Sequence, residues 1–144
     1  MHVAAVIKRK GSKVVSIAPE RTIGEAANLL TDNRIGAILV LDGSEGIRGI
    51  ISERDIIRAL TRFGADALNR RVEEVMTREV QQCSPTDTIA EIMTIMTTRR
   101  FRHIPVVENG KLLGMISIGD VVKQRLDETE LEVETLRGYV TGQG

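Results

Sequence analysis

An internal duplication constrains this chain more than any other feature: VVSIAPERTIGEAANLLTDNRIGAILVLD, beginning at Val14, matches VQQCSPTDTIAEIMTIMTTRRFRHIPVVE, beginning at Val80. Pro19 pairs with Pro85, Thr22 with Thr88, Ile23 with Ile89, Glu25 with Glu91 and Arg34 with Arg100, all at one constant offset. After a one-residue difference in a turn the match resumes, with Gly49-Ile50-Ile51-Ser52 against Gly114-Met115-Ile116-Ser117 and Asp55 against Asp120. The segments leading into the two copies also agree, Val3-Ala4-Ala5-Val6-Ile7 against Val72-Glu73-Glu74-Val75-Met76. Such a chain is expected to build one small unit twice.

Each copy reads as strand, helix, strand, strand, helix. Thr22 followed by Glu25 is a capping-box pattern, and Ile23, Ala26 or Ala27, and Leu30 recur at helical spacing behind it. Thr88 and Glu91 repeat the device. Ala37 to Leu41 is a short apolar run without helical period, ended by Asp42-Gly43-Ser44-Glu45-Gly46, and so predicts a buried strand entering a hairpin. Its counterpart, Ile104 to Val107, turns at Asn109-Gly110. Strands at Ile47 to Ile51 and Lys111 to Ile116 then lead into helices from about Glu53 and Gly119. The fold class is therefore α/β in the α+β sense, two pseudo-symmetric β-α-β-β-α repeats sharing one core, with a C-terminal helix added.

The division expected is residues 8–68, 72–130 and a tail at 131–144. The polar segment Arg62 to Arg71, with Gly64 inside it, reads as a linker or as an extension of the helix before it. Beyond the repeat, Leu126, Val133, Leu136 and Val140 form a narrow stripe on a charged helix, which covers the chain's own core or packs on a second subunit.

Composition excludes several partners. Twenty basic and twenty acidic residues cancel, and aromatic residues make up 2% of the chain, so neither a nucleic-acid surface nor a stacking platform is indicated. The apolar stretch at the start is too short for a signal peptide, and no apolar run approaches a membrane span. With Cys83 as the single cysteine, a disulfide within the chain and a cysteine zinc cluster are both excluded, and a cytoplasmic setting is expected. His2 and His103 are the only histidines, and no phosphate-loop or GxGxxG signature occurs, so no catalytic residue and no metal ligand is assigned.

What recurs is glycine, two apolar residues, serine, two variable residues and aspartate: GIISERD from Gly49 and GMISIGD from Gly114. Ser52 with Asp55, and Ser117 with Asp120, are capping boxes that need no ligand. The same aspartate at a helix start also suits a ribose diol, with hydroxyl and amide donors beside it for phosphate oxygens.

The tandem repeat, the doubled Gly-x-x-Ser-x-x-Asp motif, the proline after each first strand and the run FRHIPVVENGKLLGMISIGD resemble a pair of CBS domains of the free-standing bacterial type, over nearly the whole chain. The resemblance implies two α/β halves, a homodimer, and AMP, ADP, ATP or another adenosyl ligand held in clefts between the halves, with NAD(H) a further candidate and no cofactor required. It places the ribose on Asp120, Ser117 beside ribose or phosphate, the phosphates on Arg102 and His103, and the adenine near Ile35, Gly36 and Ala37. In the second cleft Asp55 and Ser52 take the ribose, Phe101 meets the base and Arg54 reaches phosphate. The function implied is nucleotide sensing or regulation without catalysis, acting on a client protein in trans. Two alternatives stand beside it: a structural homodimer with vestigial clefts, and an enzyme acting on an adenosyl compound such as NAD through His103 or Cys83.

Overall fold

The computed structural model describes residues 1–43 and 46–140. The turn residues Ser44 and Glu45, the side chains of Tyr139 and Val140, and residues 141–144 lie outside the described residues. The elements are α1 (Val3–Lys10), β1 (Ser16–Ile17), α2 (Ile23–Asn33), β2 (Ala37–Leu41), β3 (Ile47–Ser52), α3 (Glu53–Phe63), α4 (Ile89–Arg99), β4 (His103–Glu108), β5 (Lys111–Ser117) and α5 (Ile118–Val140). They fall into two compact units, Lys13–Val80, and Met1–Ser12 with Gln81–Gly144. The buried side chains form two clusters, one within each unit.

In the unit Lys13–Val80 the sheet order is β1-β2-β3, β1 parallel and β3 antiparallel to β2. Thr22 caps α2 by accepting the Glu25 N–H at 3.1 Å, and the helix ends on Arg34 in the left-handed conformation. Of the capping box only this half forms, and the Glu25 carboxylate meets the Thr22 hydroxyl at 3.4 Å and Arg21 at 3.3 Å. Ile23, Ala26 and Leu30 of α2 are buried against Ile38, Val40, Ile51 and Ile56. Each isoleucine so buried stabilises the unit by about 1.5–3 kcal/mol. The segment at 62–71 is the end of α3 followed by a 3-10 turn at Gly64–Asn69 that buries Ala67, so it is packed structure and not an open linker.

In the other unit β4 and β5 pair antiparallel through the turn at Asn109 and Gly110, both at positive φ. The expected first strand is reduced to one bridge, Cys83 beside Val106. Proline supplies the reason: the Leu39 N–H bonds the Val15 carbonyl in the first copy, and the residue matching Leu39 is Pro105, which has no N–H to donate. Thr88 caps α4 through the Glu91 N–H at 3.1 Å, and Arg100 ends it left-handed, as Arg34 ends α2.

The leading segments dock by matched hydrogen bonds. Val3 N–H donates to Asp87 O and Ala4 N–H to Pro85 O, as Val72 N–H does to Arg21 O and Glu73 N–H to Pro19 O. The N-terminal α1 thus completes the unit of the second copy, while Val72 to Met76 completes that of the first.

α5 corrects one expectation. It runs unbroken from Ile118 to Val140, since nothing between Asp120 and Arg137 interrupts a helix, and at about 1.5 Å per residue it carries its stripe beyond the core that Val121 reaches. Leu126 and Leu136 are 60% and 65% exposed, and Val133 is exposed as well, so the stripe does not cover the chain's own core.

Candidate functional site

Both Ser-x-x-Asp turns sit where a strand passes directly into a helix. At the β3–α3 junction Ser52 Oγ accepts the Asp55 N–H at 3.3 Å, while Ser52 N–H and Oγ donate to Asp55 Oδ2 at 2.9 and 3.0 Å. At the β5–α5 junction Ser117 and Asp120 repeat this at 3.2, 2.8 and 2.9 Å. The capping that the spacing predicts is therefore complete at both turns.

The two carboxylates differ in what else holds them. Thr77 Oγ1 donates to Asp55 Oδ1 at 3.0 Å, and Arg58 stands 4.0 Å from the same oxygen. Both oxygens of Asp55 are engaged, and its side chain is 5% exposed. On Asp120 the extra donor is a cation: Lys10 Nζ lies 2.6 Å from Oδ2 and also donates to the Met115 carbonyl at 2.9 Å. Asp120 Oδ1 has no hydrogen-bond partner among the described residues, and the side chain is 23% exposed. Burial pushes the Asp120 carboxyl up, but the Lys10 hydrogen bond, the Ser117 N–H and the Lys10 charge together hold it below the usual value.

The glycine of each motif explains how these donors arrive. A Cβ on Gly49 would fall 2.6 Å from Thr77 O and 2.9 Å from Met76 Sδ, and one on Gly114 would fall 2.9 Å from Ile7 Cδ1. Each glycine admits a leading segment over its strand. The Thr77 N–H then bonds Ile50 O at 2.8 Å, the carbonyl that corresponds to Met115 O under Lys10. Neither Thr77 nor Lys10 belongs to the residues expected from sequence. The signal was present in the matched leading segments, but they match residue for residue only as far as Ile7 and Met76. Beyond that point one segment is helical and the other is not, so different residues reach the turn.

The remaining expected residues gather in two groups. Within Lys13–Val80, Gly36 O accepts the Glu53 N–H at 3.0 Å and Ala37 pairs with Ser52, so both lie at the mouth of the Asp55 turn. Ile35 is partly buried against the core and, with Gly36, lines a groove of about 510 Å³ together with Leu30, Arg34, Glu53 and Ile57. Arg54 is exposed, and Arg58 is the cation nearer to Asp55. In the other unit, Arg102 O accepts the Ile118 N–H at 2.8 Å and His103 pairs with Ser117, which brings both to the Asp120 turn. Arg102 is exposed, while Phe101 is partly buried against its own unit's core. Cys83 is buried. Among the described residues no group of three or more His, Cys, Asp or Glu side chains is placed to hold a metal, and no helix is long and apolar enough to cross a membrane.

Comparison with known proteins agrees with this geometry. The CBS domain family matches residues 3–62 and 72–127. The CBS-domain containing protein ATU1752 of Agrobacterium tumefaciens superposes with a TM-score of 0.84 at 46% identity, covering 87% of this chain and 99% of that one. The mitochondrial CBS domain-containing protein CBSX3 of Arabidopsis thaliana is 31% identical over 97% of this chain and 72% of its own length. The CBS domain pair of protein MJ0100, solved in complex with 5-methylthioadenosine and S-adenosyl-L-methionine, shares the fold with a TM-score of 0.78 at 21% identity, covering 89% of this chain and 98% of that one. Two matched repeats, two glycines that seat leading segments and two capped aspartates are thus accounted for together: the chain belongs to the CBS domain family and carries two CBS domains.

Proposed function

We propose that this chain is a non-catalytic regulatory module that binds an adenosyl ligand of the AMP, ADP or ATP type at the Ser117–Asp120 turn. The observation that carries the reading is the inequality of the two aspartates: Asp55 is buried with both oxygens bonded, whereas Asp120 is partly exposed and keeps Oδ1 unbonded among the described residues. A carboxylate oxygen at a helix start accepts ribose hydroxyls, and Arg102 and His103 at the same turn suit phosphate oxygens. The adenosyl complex of the MJ0100 pair supports the ligand class. The Ser52–Asp55 turn acts as a cap, with its site vestigial. Regulation follows from differential affinity of the ligand for two arrangements of the protein, read by a client in trans, and a homodimer is the assembly in which we place it.

The test is thermal unfolding with AMP, ADP, ATP and NADH on the native chain, Asp120→Ala and Asp55→Ala. Ligand at a hundredfold excess over Kd adds about 2.7 kcal/mol and raises the midpoint of a chain this size by roughly 5–10 °C. The shift should vanish in Asp120→Ala and persist in Asp55→Ala over its own baseline. No shift with any nucleotide on the native chain would replace this reading with that of a structural module.

A further inference from the structure

We infer that Lys10 selects the ligand by charge, favouring an adenosine 5′-phosphate over the neutral thioether or cationic sulfonium of other adenosyl compounds; the inference rests on the adenosyl reading of the Asp120 turn. Placement begins with Gly114, whose missing side chain lets Ile7 settle on β5. Three residues on, the same face of α1 presents Lys10 over Met115 and Asp120. Its neighbour Arg9 is drawn away to Asp127 at 3.3 Å, so Lys10 is the α1 cation that stands at the turn.

An ammonium has three hydrogens. Two are used, on Met115 O and Asp120 Oδ2, and the side chain is 39% exposed, which leaves the third for a ligand atom beside the ribose-accepting carboxylate. That position suits the anionic oxygens of a 5′-phosphate. A sulfonium there would meet the like charge of the Lys10 ammonium. In the other unit the corresponding donor is the neutral hydroxyl of Thr77, and the cation near Asp55, Arg58 at 4.0 Å, comes from α3 itself, so the Lys10 contact belongs to the Asp120 turn.

Calorimetric titration of the native chain, Lys10→Gln and Lys10→Arg with AMP, 5′-methylthioadenosine and S-adenosyl-L-methionine tests this directly. One charge-assisted bond to phosphate corresponds to roughly ten- to hundredfold in Kd, so Lys10→Gln should weaken AMP by that factor. It should leave 5′-methylthioadenosine within about threefold and bind S-adenosyl-L-methionine more tightly, while Lys10→Arg recovers most of the AMP affinity. The thioether shares adenine and ribose with AMP, so equal weakening of both would show a structural role and overturn the inference. Unchanged AMP affinity in Lys10→Gln overturns it too, with adenosyl binding intact. A native chain that binds none of the three compounds refutes the underlying reading as well.

Discussion

Ile7 rests on β5 only because residue 114 has no side chain, a Cβ there falling 2.9 Å from Ile7 Cδ1. At the matching position a Cβ on Gly49 meets the backbone oxygen of Thr77 at 2.6 Å. The end of an isoleucine turns aside more easily than a peptide group held in a hydrogen-bonded bridge to Ile50. Gly49→Ala is therefore expected to cost about 1–3 kcal/mol and Gly114→Ala less than about 1.5 kcal/mol, measured by urea unfolding. Equal costs at the two sites would contradict this account of the docked segments.

The aspartates should separate stability from binding. Asp55→Ala removes a cap whose carboxylate is buried and breaks its bond with the hydroxyl of the exposed Thr77, a loss of about 1–3 kcal/mol. Asp120→Ala removes the corresponding cap at a more exposed turn and should cost about 1 kcal/mol. Chemical denaturation of both variants without ligand checks the order, which a larger loss at Asp120 would reverse.

Acid should register the Lys10–Asp120 pair. Lys10 and the Ser117 N–H hold the folded Asp120 carboxyl below its ordinary value of 3.8. A depressed carboxylate contributes stability that is complete above the unfolded value and is lost as pH falls through the folded one. The partial exposure of both side chains keeps the pair below about 1 kcal/mol. Glu74 also titrates low, held by the Arg71 N–H and then by Arg70, so the measurement is the difference between native chain and Asp120→Asn. That difference should shrink as pH falls below about 4 and be constant at neutral pH.

Cys83 should be chemically silent in the folded chain. Burial, and after it the charge of Asp87, push its thiol up to about 12, so almost no thiolate exists at neutral pH. Alkylation by iodoacetamide at pH 7.5 is expected only under unfolding conditions. Rapid labelling of the native chain would reopen the enzymatic alternative that uses this residue.

Much of this architecture is written locally. The duplication, the threonine and serine caps, the turn at Asn109-Gly110 and the apolar faces of α2 and α4 follow from period and spacing, because each depends on residues within a turn or two of one another. The capped aspartates were legible for the same reason. Other features depend on contacts across long sequence separations. Whether Pro105 faces a neighbouring strand, which leading segment completes which copy, and whether a hydroxyl or an ammonium reaches the aspartate are settled when α1 and the segment before Gln81 dock on strands far along the chain. Two nearly identical motifs thereby acquire unequal exposure and unequal charge, since burial and electrostatic partnership belong to the packed surroundings of a residue and not to its spacing from its neighbours.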